Sequence, residues 1–223
     1  MMRTLTFVRH AESVANAGGI TMPHESIPLS EFGHLQAQAL AASLDAAPAT
    51  VLVSAMLRTQ QTAAPLCARF GVVPQVHPGL NEFSVIDPAL IAGLDGPQRK
   101  PFVQAYWFAP DPHRRQGVNA DTFAEFEARV CGFMVEMDTL PDAAVIVGHG
   151  IWLAMLHWLL LGYNASDTAG MAAFRRFQQT LPMPNCAAFS LTHAGGKRWS
   201  IQPNKNLMRR IADGDSVESA ERA

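Results

Sequence analysis

The chain's most informative stretch reads Phe7-Val8-Arg9-His10-Ala11-Glu12-Ser13. The apolar run that leads into it, Leu5 to Val8, predicts a short buried strand that ends at an Arg-His pair. In α/β proteins, ligands bind at the carboxyl ends of such strands. An unprotonated imidazole is a good nucleophile near neutral pH, and the planar fork of an arginine matches the oxygens of a phosphoryl group. The stretch therefore predicts that His10 attacks a phosphate ester beside Arg9.

Length and composition indicate one globular domain. The 223 residues are 48% hydrophobic and 16% charged, which is enough for one substantial core. We assign residues 1–208 to a single domain, with an insertion or cap over 83–120 and a flexible polar tail over 209–223. The formal net charge is −2 and no basic run is present, so we expect no nucleic-acid partner and only a local anion site.

The cysteines and the amino terminus favour a cytoplasmic protein. Cys67, Cys131 and Cys186 are far apart and odd in number, without the spacing of a disulfide framework or a metal site. We therefore expect buried thiols in a reducing compartment. The predicted first strand begins so near Met1 that no signal peptide fits before it. No motif predicts a metal or a cofactor.

One segment, Ala143 to Gly162, resembles a membrane span because it contains no Asp, Glu, Lys or Arg. However, Gly148-His149-Gly150 interrupts it in the middle, and His157 adds another polar group. We interpret the segment as a buried strand, a loop and a helix, and we expect no membrane partner.

Strand-like and helix-like segments alternate along the chain, which predicts βαβ units, a mostly parallel sheet and an α/β fold. The predicted strands are Leu5–Val8, Thr50–Ser54, Val72–Val76, Ala143–Val147, and an edge pair, Ala187–Thr192 and Trp199–Gln202, joined by a turn at Gly195-Gly196.

Capping signals mark three helices between the strands. Ser30 can cap a helix with apolar residues at helical spacing. Thr122 and Glu125 have the spacing of a capping box. A strongly apolar helix over Ile151–Leu161 ends before Gly162, a residue typical of helix carboxyl termini.

Three more titratable or charged side chains follow predicted strands. Arg58 follows the second strand, Glu82 the third and His149 the fourth. Because the carboxyl ends of parallel strands lie at one edge of a sheet, we expect these residues to converge with His10 in one pocket.

The chemistry of phosphoryl transfer requires this set of side chains. Arg9 and Arg58 supply fixed positive charge to the phosphoryl oxygens, and His149 supplies another hydrogen bond. Gly150 allows a backbone amide to approach, since it has no side chain. Glu82 is placed to protonate the leaving alkoxide and then to activate water, provided that its pKa is raised. Two further candidate phosphate contacts follow the nucleophile, Ser13 and Asn16.

These motifs, taken in order, resemble the histidine phosphatase superfamily, whose members have the phosphoglycerate mutase-like fold. The matching segments span about residues 4–202 and are Val8 to Ser13 with Asn16, Pro28 to Ala37, Ser54 with Arg58, Thr59 and Thr62-Ala63, Leu80-Asn81-Glu82, Gly148-His149-Gly150, and Pro184 to Ala187. The resemblance implies a three-layer αβα sandwich with a helical or loop insertion over the active site.

The resemblance also implies a mechanism. It assigns His10 as the phosphorylated nucleophile, Glu82 as the proton donor, and Arg9, Arg58 and His149 as the phosphate pocket. The implied mechanism is independent of metal, and we expect a phosphomonoester hydrolase without a cofactor. Its expected substrate is a small phosphorylated metabolite, with a phosphoprotein as the alternative. A homodimer is one possible assembly.

Departures from the family pattern bear on the reaction. Glu82 is followed by Phe83-Ser84-Val85, where the mutases continue with a basic residue and a Tyr-Gly pair. Ala17 to Ile20 replaces the longer mutase signature. Both differences favour a phosphatase over a phosphoglycerate mutase, an isomerase that returns the phosphoryl group to its product. Ala11 replaces the usual glycine, and Ser26 replaces a common acidic residue.

Two other classes of protein fit the sequence less well. A non-catalytic phosphate-binding protein needs no proton donor, so the presence of Glu82 argues against it. A dinucleotide-dependent oxidoreductase is disfavoured because no G-x-G-x-x-G motif follows the first predicted strand.

Overall fold

A six-stranded sheet forms the centre of the protein in a computed structural model that describes residues 2–195 and 199–221. The strands are β1 (Arg3–Arg9), β2 (Val51–Val53), β3 (Pro74–Val76), β4 (Val145–Gly148), β5 (Ala188–His193) and β6 (Trp199–Pro203). Their spatial order is β3-β2-β4-β1-β5-β6. The first four strands in this order pair in parallel. Strand β5 is antiparallel to β1, and β6 is antiparallel to β5. The predicted mostly parallel α/β sheet is therefore confirmed. Gly196, half of the predicted turn before β6, lies outside the described residues.

Helices cover both faces of this sheet. They are α1 (Glu31–Ala42), α2 (Leu57–Phe70), α3 (Gly96–Phe108), α4 (Phe123–Met137), α5 (Gly150–Leu160), α6 (Thr168–Thr180) and α7 (Lys205–Glu221). In β1, Phe7 packs into a cluster with Trp152 of α5, whereas the next residue, Val8, packs into a cluster with Leu40 of α1. Successive strand residues point to opposite faces, so β1 separates two cores and creates the three layers of an αβα sandwich.

The predicted capping signals form as expected. The Ser30 hydroxyl accepts a hydrogen bond from the backbone amide of Gly33 at the start of α1. Thr122 and Glu125 form a reciprocal capping box at the start of α4. Gly162 follows α5 with a φ of 88°, a conformation that glycine adopts without steric cost. Local sequence therefore determines where these helices begin and end.

The segment that resembled a membrane span is divided between two elements. It contributes β4, and then α5 begins at Gly150. Within the described part of the chain, no helix is long and apolar enough to cross a bilayer.

Several predicted element bounds differ from the structure by one or two residues. The strand expected over Val72–Val76 begins at Pro74, because the Val72 amide still bonds to the Cys67 carbonyl at the end of α2. Helix α7 covers the predicted tail as far as Glu221, and residues 222–223 lie outside the described chain; the flexibility of this tail stays a prediction. Ile211 is buried in the cluster that contains Val8, which gives the beginning of this segment a reason to be ordered.

The predicted insertion over 83–120 has its own secondary structure. It contains a short 3-10 helix over Pro88–Ile91 and then α3. Phe83, at its beginning, packs against Tyr106 and Trp107 of α3 and against Phe123 of α4. The aromatic residues of this insertion therefore attach it to the main core.

Helix α1 fixes the loop that follows the first strand through a close backbone contact at Gly33. The Glu12 carbonyl accepts a hydrogen bond from the Ser30 amide at 2.9 Å. A Cβ atom on Gly33 would lie 1.9 Å from that same carbonyl oxygen. Since real atoms cannot approach so closely, only glycine allows the helix to approach the loop at this position.

We predict that Gly33→Ala lowers the free energy of unfolding by about 1–3 kcal/mol, the usual cost of overpacking. The shifted loop should also reduce catalytic activity. The matched control is Gly132→Ala, because Gly132 lies inside α4 and a Cβ there meets open space. That variant should gain about 0.5–1 kcal/mol. Urea denaturation of both variants would measure the difference, and equal stabilities would contradict the role of Gly33.

Candidate active site

His10 directly follows β1 and its ring is oriented by its neighbour in the chain. Its Nδ1 lies 2.7 Å from the carbonyl oxygen of Ala11. A carbonyl can only accept, so Nδ1 carries the hydrogen of the neutral ring and Nε2 keeps a lone pair. Nε2 is therefore the atom of His10 that can attack a phosphorus atom.

Arg58, in the first turn of α2, contacts both histidines of the site. Its Nε donates to Nε2 of His10 at 3.3 Å, and its Nη2 lies 3.4 Å from Nδ1 of His149. Its Nη1 donates to the carbonyl of His24 at 2.8 Å. The guanidinium group thus lies beside Nε2 of His10, where its donors can reach a phosphoryl group bound to that nitrogen.

A chain of hydrogen bonds fixes the ring of His149. An arginine cannot accept, so Nδ1 of His149 accepts from Arg58 and Nε2 carries the hydrogen. Nε2 donates to the Ser54 hydroxyl at 2.8 Å, and that hydroxyl is 2.9 Å from the Thr59 hydroxyl. The Thr59 hydroxyl donates to the Met56 carbonyl at 2.8 Å. Its oxygen can therefore accept from Ser54, whose own oxygen accepts from His149.

Burial and the arginines hold both histidines in the neutral state. Burial, followed by the charges of Arg58 and Arg9, holds the pKa of His10 well below its usual range. Burial and then Arg58 lower the pKa of His149 in the same way. Nε2 of His10 is therefore unprotonated at neutral pH, as a nucleophile requires.

Glu82 lies at the amino terminus of α5. Its two carboxylate oxygens accept from the amides of Ile151 at 3.0 Å and Trp152 at 2.9 Å. Burial raises the pKa of Glu82, although the Phe83 and Ile151 amides and Arg58 act in the opposite direction. A raised pKa keeps more of this group protonated, as a general acid requires.

Arg9 lies against the same helix terminus. It donates to the carbonyl of Met183, and a Cβ on Gly150 would lie 3.5 Å from its Nε. Burial lowers the pKa of Arg9, and the nearby Glu82 carboxylate opposes that effect. The predicted role of Gly150, to let a backbone amide approach the phosphoryl group, stays a prediction.

Ser13 and Asn16 form a small network in the loop after His10. The Ser13 hydroxyl donates to Oδ1 of Asn16 at 3.0 Å, and Nδ2 of Asn185 donates to that oxygen at 3.1 Å. Because Oδ1 accepts both bonds, the amino end of the Asn16 amide is the end left for a ligand. The hydroxyl hydrogen of Ser13 is used to position Asn16.

These side chains surround one cavity of about 490 Å³. Of the predicted site residues, those that line it are Arg9, His10, Ser13, Asn16, Arg58, Glu82 and Gly150. His149 is fully buried and reaches the site through Arg58. The sequence did not predict that His24 and the segment from Gln178 to Met183 also line the cavity. No local motif marks them, since tertiary packing alone brings them here.

The chain as a whole matches a known family. Residues 5–204 match the histidine phosphatase superfamily (branch 1), and the chain belongs to this superfamily. The predicted recognition is therefore confirmed.

Individual relatives agree with this membership. The adenosylcobalamin/alpha-ribazole phosphatase of Salmonella typhimurium is 31% identical over 166 residues, which are 73% of this chain and 82% of that protein. The PE-PGRS family protein PE_PGRS11 of Mycobacterium tuberculosis is 40% identical over 104 residues, but these are 42% of this chain and 18% of that protein.

A solved structure shows the same fold. The structure of a mycobacterial glucosyl-3-phosphoglycerate phosphatase aligns with a TM-score of 0.69 at 23% identity, covering 91% of this chain and 98% of that one. This protein and the Salmonella relative are both phosphatases by name.

We predict that Arg58→Gln raises the pKa of His10, because the arginine's charge lowers it in the wild type. Titration of the ring resonances by NMR would measure this shift. Arg69→Gln is the matched control, since Arg69 lies at the opposite end of α2 and bonds to the Ala41 and Leu44 carbonyls. Arg69→Gln should leave the pKa of His10 unchanged. The same His10 pKa in the wild type, Arg58→Gln and Arg69→Gln would contradict the electrostatic role of Arg58.

Proposed function

We propose that this protein hydrolyses a phosphomonoester through a phosphohistidine at Nε2 of His10. The observation that carries the proposal is the orientation of His10: Nδ1 is bonded to the Ala11 carbonyl, and Nε2 faces the Arg58 guanidinium at 3.3 Å. A phosphoryl group placed there would meet both a nucleophile and a fixed positive charge.

In the first step, the Nε2 lone pair forms a bond to phosphorus and the bond from phosphorus to the leaving oxygen breaks. Protonated Glu82 gives its proton to that oxygen, so an alcohol leaves rather than an alkoxide. Arg9 and Arg58 stabilise the charge on the phosphoryl oxygens. Their fixed charges support a reaction that needs no metal ion.

In the second step, water attacks the phosphorus of the phosphohistidine. Glu82, now a carboxylate, accepts a proton from the water, and the bond between phosphorus and Nε2 breaks. Phosphate leaves, His10 regains its lone pair and Glu82 regains its proton. Each residue is then ready for another turnover.

The proposed substrate is a small phosphorylated metabolite. A cavity of about 490 Å³ is within the usual size range of small-molecule sites. The name of the Salmonella relative makes a phosphate ester of alpha-ribazole one candidate for a substrate panel. The cytoplasmic location expected from the cysteine pattern stays a prediction.

The first test is inorganic phosphate release from a panel of phosphomonoesters in the presence of a chelator. We predict that His10→Ala lowers the rate by about 10⁴-fold or more, because it removes the nucleophile. His34→Ala is the control, since His34 is exposed on α1, and it should keep the wild-type rate. Alkaline denaturation followed by mass spectrometry should find the phosphoryl group on His10.

The same assay separates the alternatives. A wild-type rate in His10→Ala would refute the proposed nucleophile. A phosphoryl group that moves between hydroxyls of a phosphoglycerate without appearing as free phosphate would indicate a mutase. Phosphate binding without any turnover would indicate a binding protein.

We further predict that Glu82→Gln slows hydrolysis of an alkyl phosphate by about 10²–10⁴-fold, the usual contribution of a general acid. An aryl phosphate with a good leaving group should be slowed much less, because its oxygen leaves without a proton. Glu136→Gln provides the control, since Glu136 is exposed and paired with His77. Equal slowing of both esters would contradict the proton-donor role.

A further inference from the structure

A second cavity of about 550 Å³ adjoins the proposed catalytic cavity. The two share three lining residues, His24, Met56 and Glu82. Its other walls come from the segment 21–25, from the beginning of the 83–120 insertion and from the residues just before α4. Within the described chain, this space therefore begins at the proposed proton donor and extends away from His10.

The position of Glu82 relates this space to the substrate. In the proposed function, Glu82 protonates the oxygen that joins the phosphoryl group to the leaving alcohol. That oxygen must therefore lie within hydrogen-bond distance of Glu82 while phosphorus faces His10. The carbon skeleton attached to the oxygen then has the second cavity directly beside it.

The charges around the second cavity are mostly negative. Its lining includes the carboxylates of Glu25, Asp87 and Asp121 in addition to Glu82. Among the described lining residues, the one arginine is Arg129, and both of its terminal nitrogens bond to Asp121, at 2.8 and 3.1 Å. Burial and the charge of Arg58 lower the pKa of His24, which favours its neutral form. An anionic group in this cavity would therefore meet carboxylates and a cation that is already paired.

Two of these carboxylates, Asp87 and Asp121, already accept hydrogen bonds from N–H donors. Asp87 accepts from the amide of Ala89 at 3.0 Å and from the backbone and side-chain nitrogens of Asn119 at 2.9 and 3.2 Å. Asp121 accepts from the Ser84 amide at 2.9 Å as well as from Arg129. These groups do not need a cationic ligand to compensate them.

Neutral polar groups provide hydrogen bonds for a ligand. Nδ1 of His24 lies 3.0 Å from the Ser84 hydroxyl, which leaves Nε2 of His24 as a ring nitrogen for hydrogen bonding at the junction of the cavities. Asn81 and Asn119 line the same space, and Met22 and Pro88 give it apolar surface. Alternating polar and apolar groups of this kind suit an alcohol with both hydroxyls and C–H faces.

We propose that the second cavity binds the leaving alcohol and selects uncharged, hydroxyl-bearing alcohols over alcohols that carry an anionic group. This inference rests on the proposed function, because it needs Glu82 to protonate the leaving oxygen. It narrows the substrate class to phosphomonoesters of neutral alcohols such as polyols and sugars.

The test uses glycerol 3-phosphate and 3-phosphoglycerate, which differ by a hydroxymethyl group in place of a carboxylate. We expect kcat/KM to be at least about tenfold higher for glycerol 3-phosphate. The carboxylate of 3-phosphoglycerate would lie unpaired beside the carboxylates of the second cavity, and such like charges disfavour its complex. Phosphocholine, whose leaving alcohol is cationic, should also be a poorer substrate than glycerol 3-phosphate.

A charge reversal tests whether the second cavity causes the preference for glycerol 3-phosphate over 3-phosphoglycerate. Glu25 is exposed at its wall, so Glu25→Lys should reduce the preference for glycerol 3-phosphate by about threefold or more by adding a cation. Asp213→Lys makes the same change of charge on the exposed surface of α7 and should leave the preference unchanged.

Each outcome decides a separate question. Equal kcat/KM for the two esters, or a preference for phosphocholine, would overturn this inference while phosphate release still supported the proposed function. A preference that Glu25→Lys does not alter would place the selection outside the second cavity and would also overturn it. No phosphate release from any ester, aryl phosphate included, would overturn the proposed function itself.

Discussion

The parallel pairing of β1 with β4 is the constraint on which the site depends. Arg9 pairs with Gly148 in this register, and the His10 amide donates to the Gly148 carbonyl at 2.9 Å. His10 and His149 therefore follow paired residues at the same edge of the sheet, and their ring centroids lie 5.2 Å apart. A register shift of one residue would turn the side chains of β1 to the wrong faces and would separate the histidines. The apolar faces of β1, with Phe7 in one core and Val8 in the other, prevent such a shift.

The buried charges of Arg9, Arg58 and Glu82 determine the electrostatics of the site. Arg58 and Arg9 are both largely buried, and burial lowers the pKa of Arg58 to about 10. Such cations are costly to bury without a counter-ion, and Glu82 compensates them only in part because burial raises its own pKa. A phosphate dianion would supply the missing negative charge. This charge balance supports the proposed phosphate binding, and burial together with the same arginines lowers the pKa of His10 and keeps it neutral.

The sequence predicted the parts of the site that depend on topology. Arg58, Glu82 and His149 could be placed beside His10 because each follows a recognisable strand, and parallel strands end at one edge. The partners of His149 were harder to predict. The hydrogen bond from His149 to Ser54 joins the residues that directly follow β4 and β2, so it can be predicted only when the pairing of these two strands is known. The continuation of α7 was also missed, because its polar sequence hides the contact that Ile211 makes with the core.

The proposed catalytic residues and the proposed substrate-selecting residues come from different parts of the chain. The proposed nucleophile and its arginine come from strand ends and a helix start, where sheet register and core packing limit movement. The walls of the second cavity come mainly from the segment 21–25 and from loops at both ends of the 83–120 insertion. Loops accept substitutions more readily than strands do, because fewer packed neighbours constrain them. His24 connects the two regions, since its carbonyl accepts from Arg58 while its ring lies by Ser84. His24 is therefore a direct contact between the proposed phosphate-binding arginine and the proposed selecting loops.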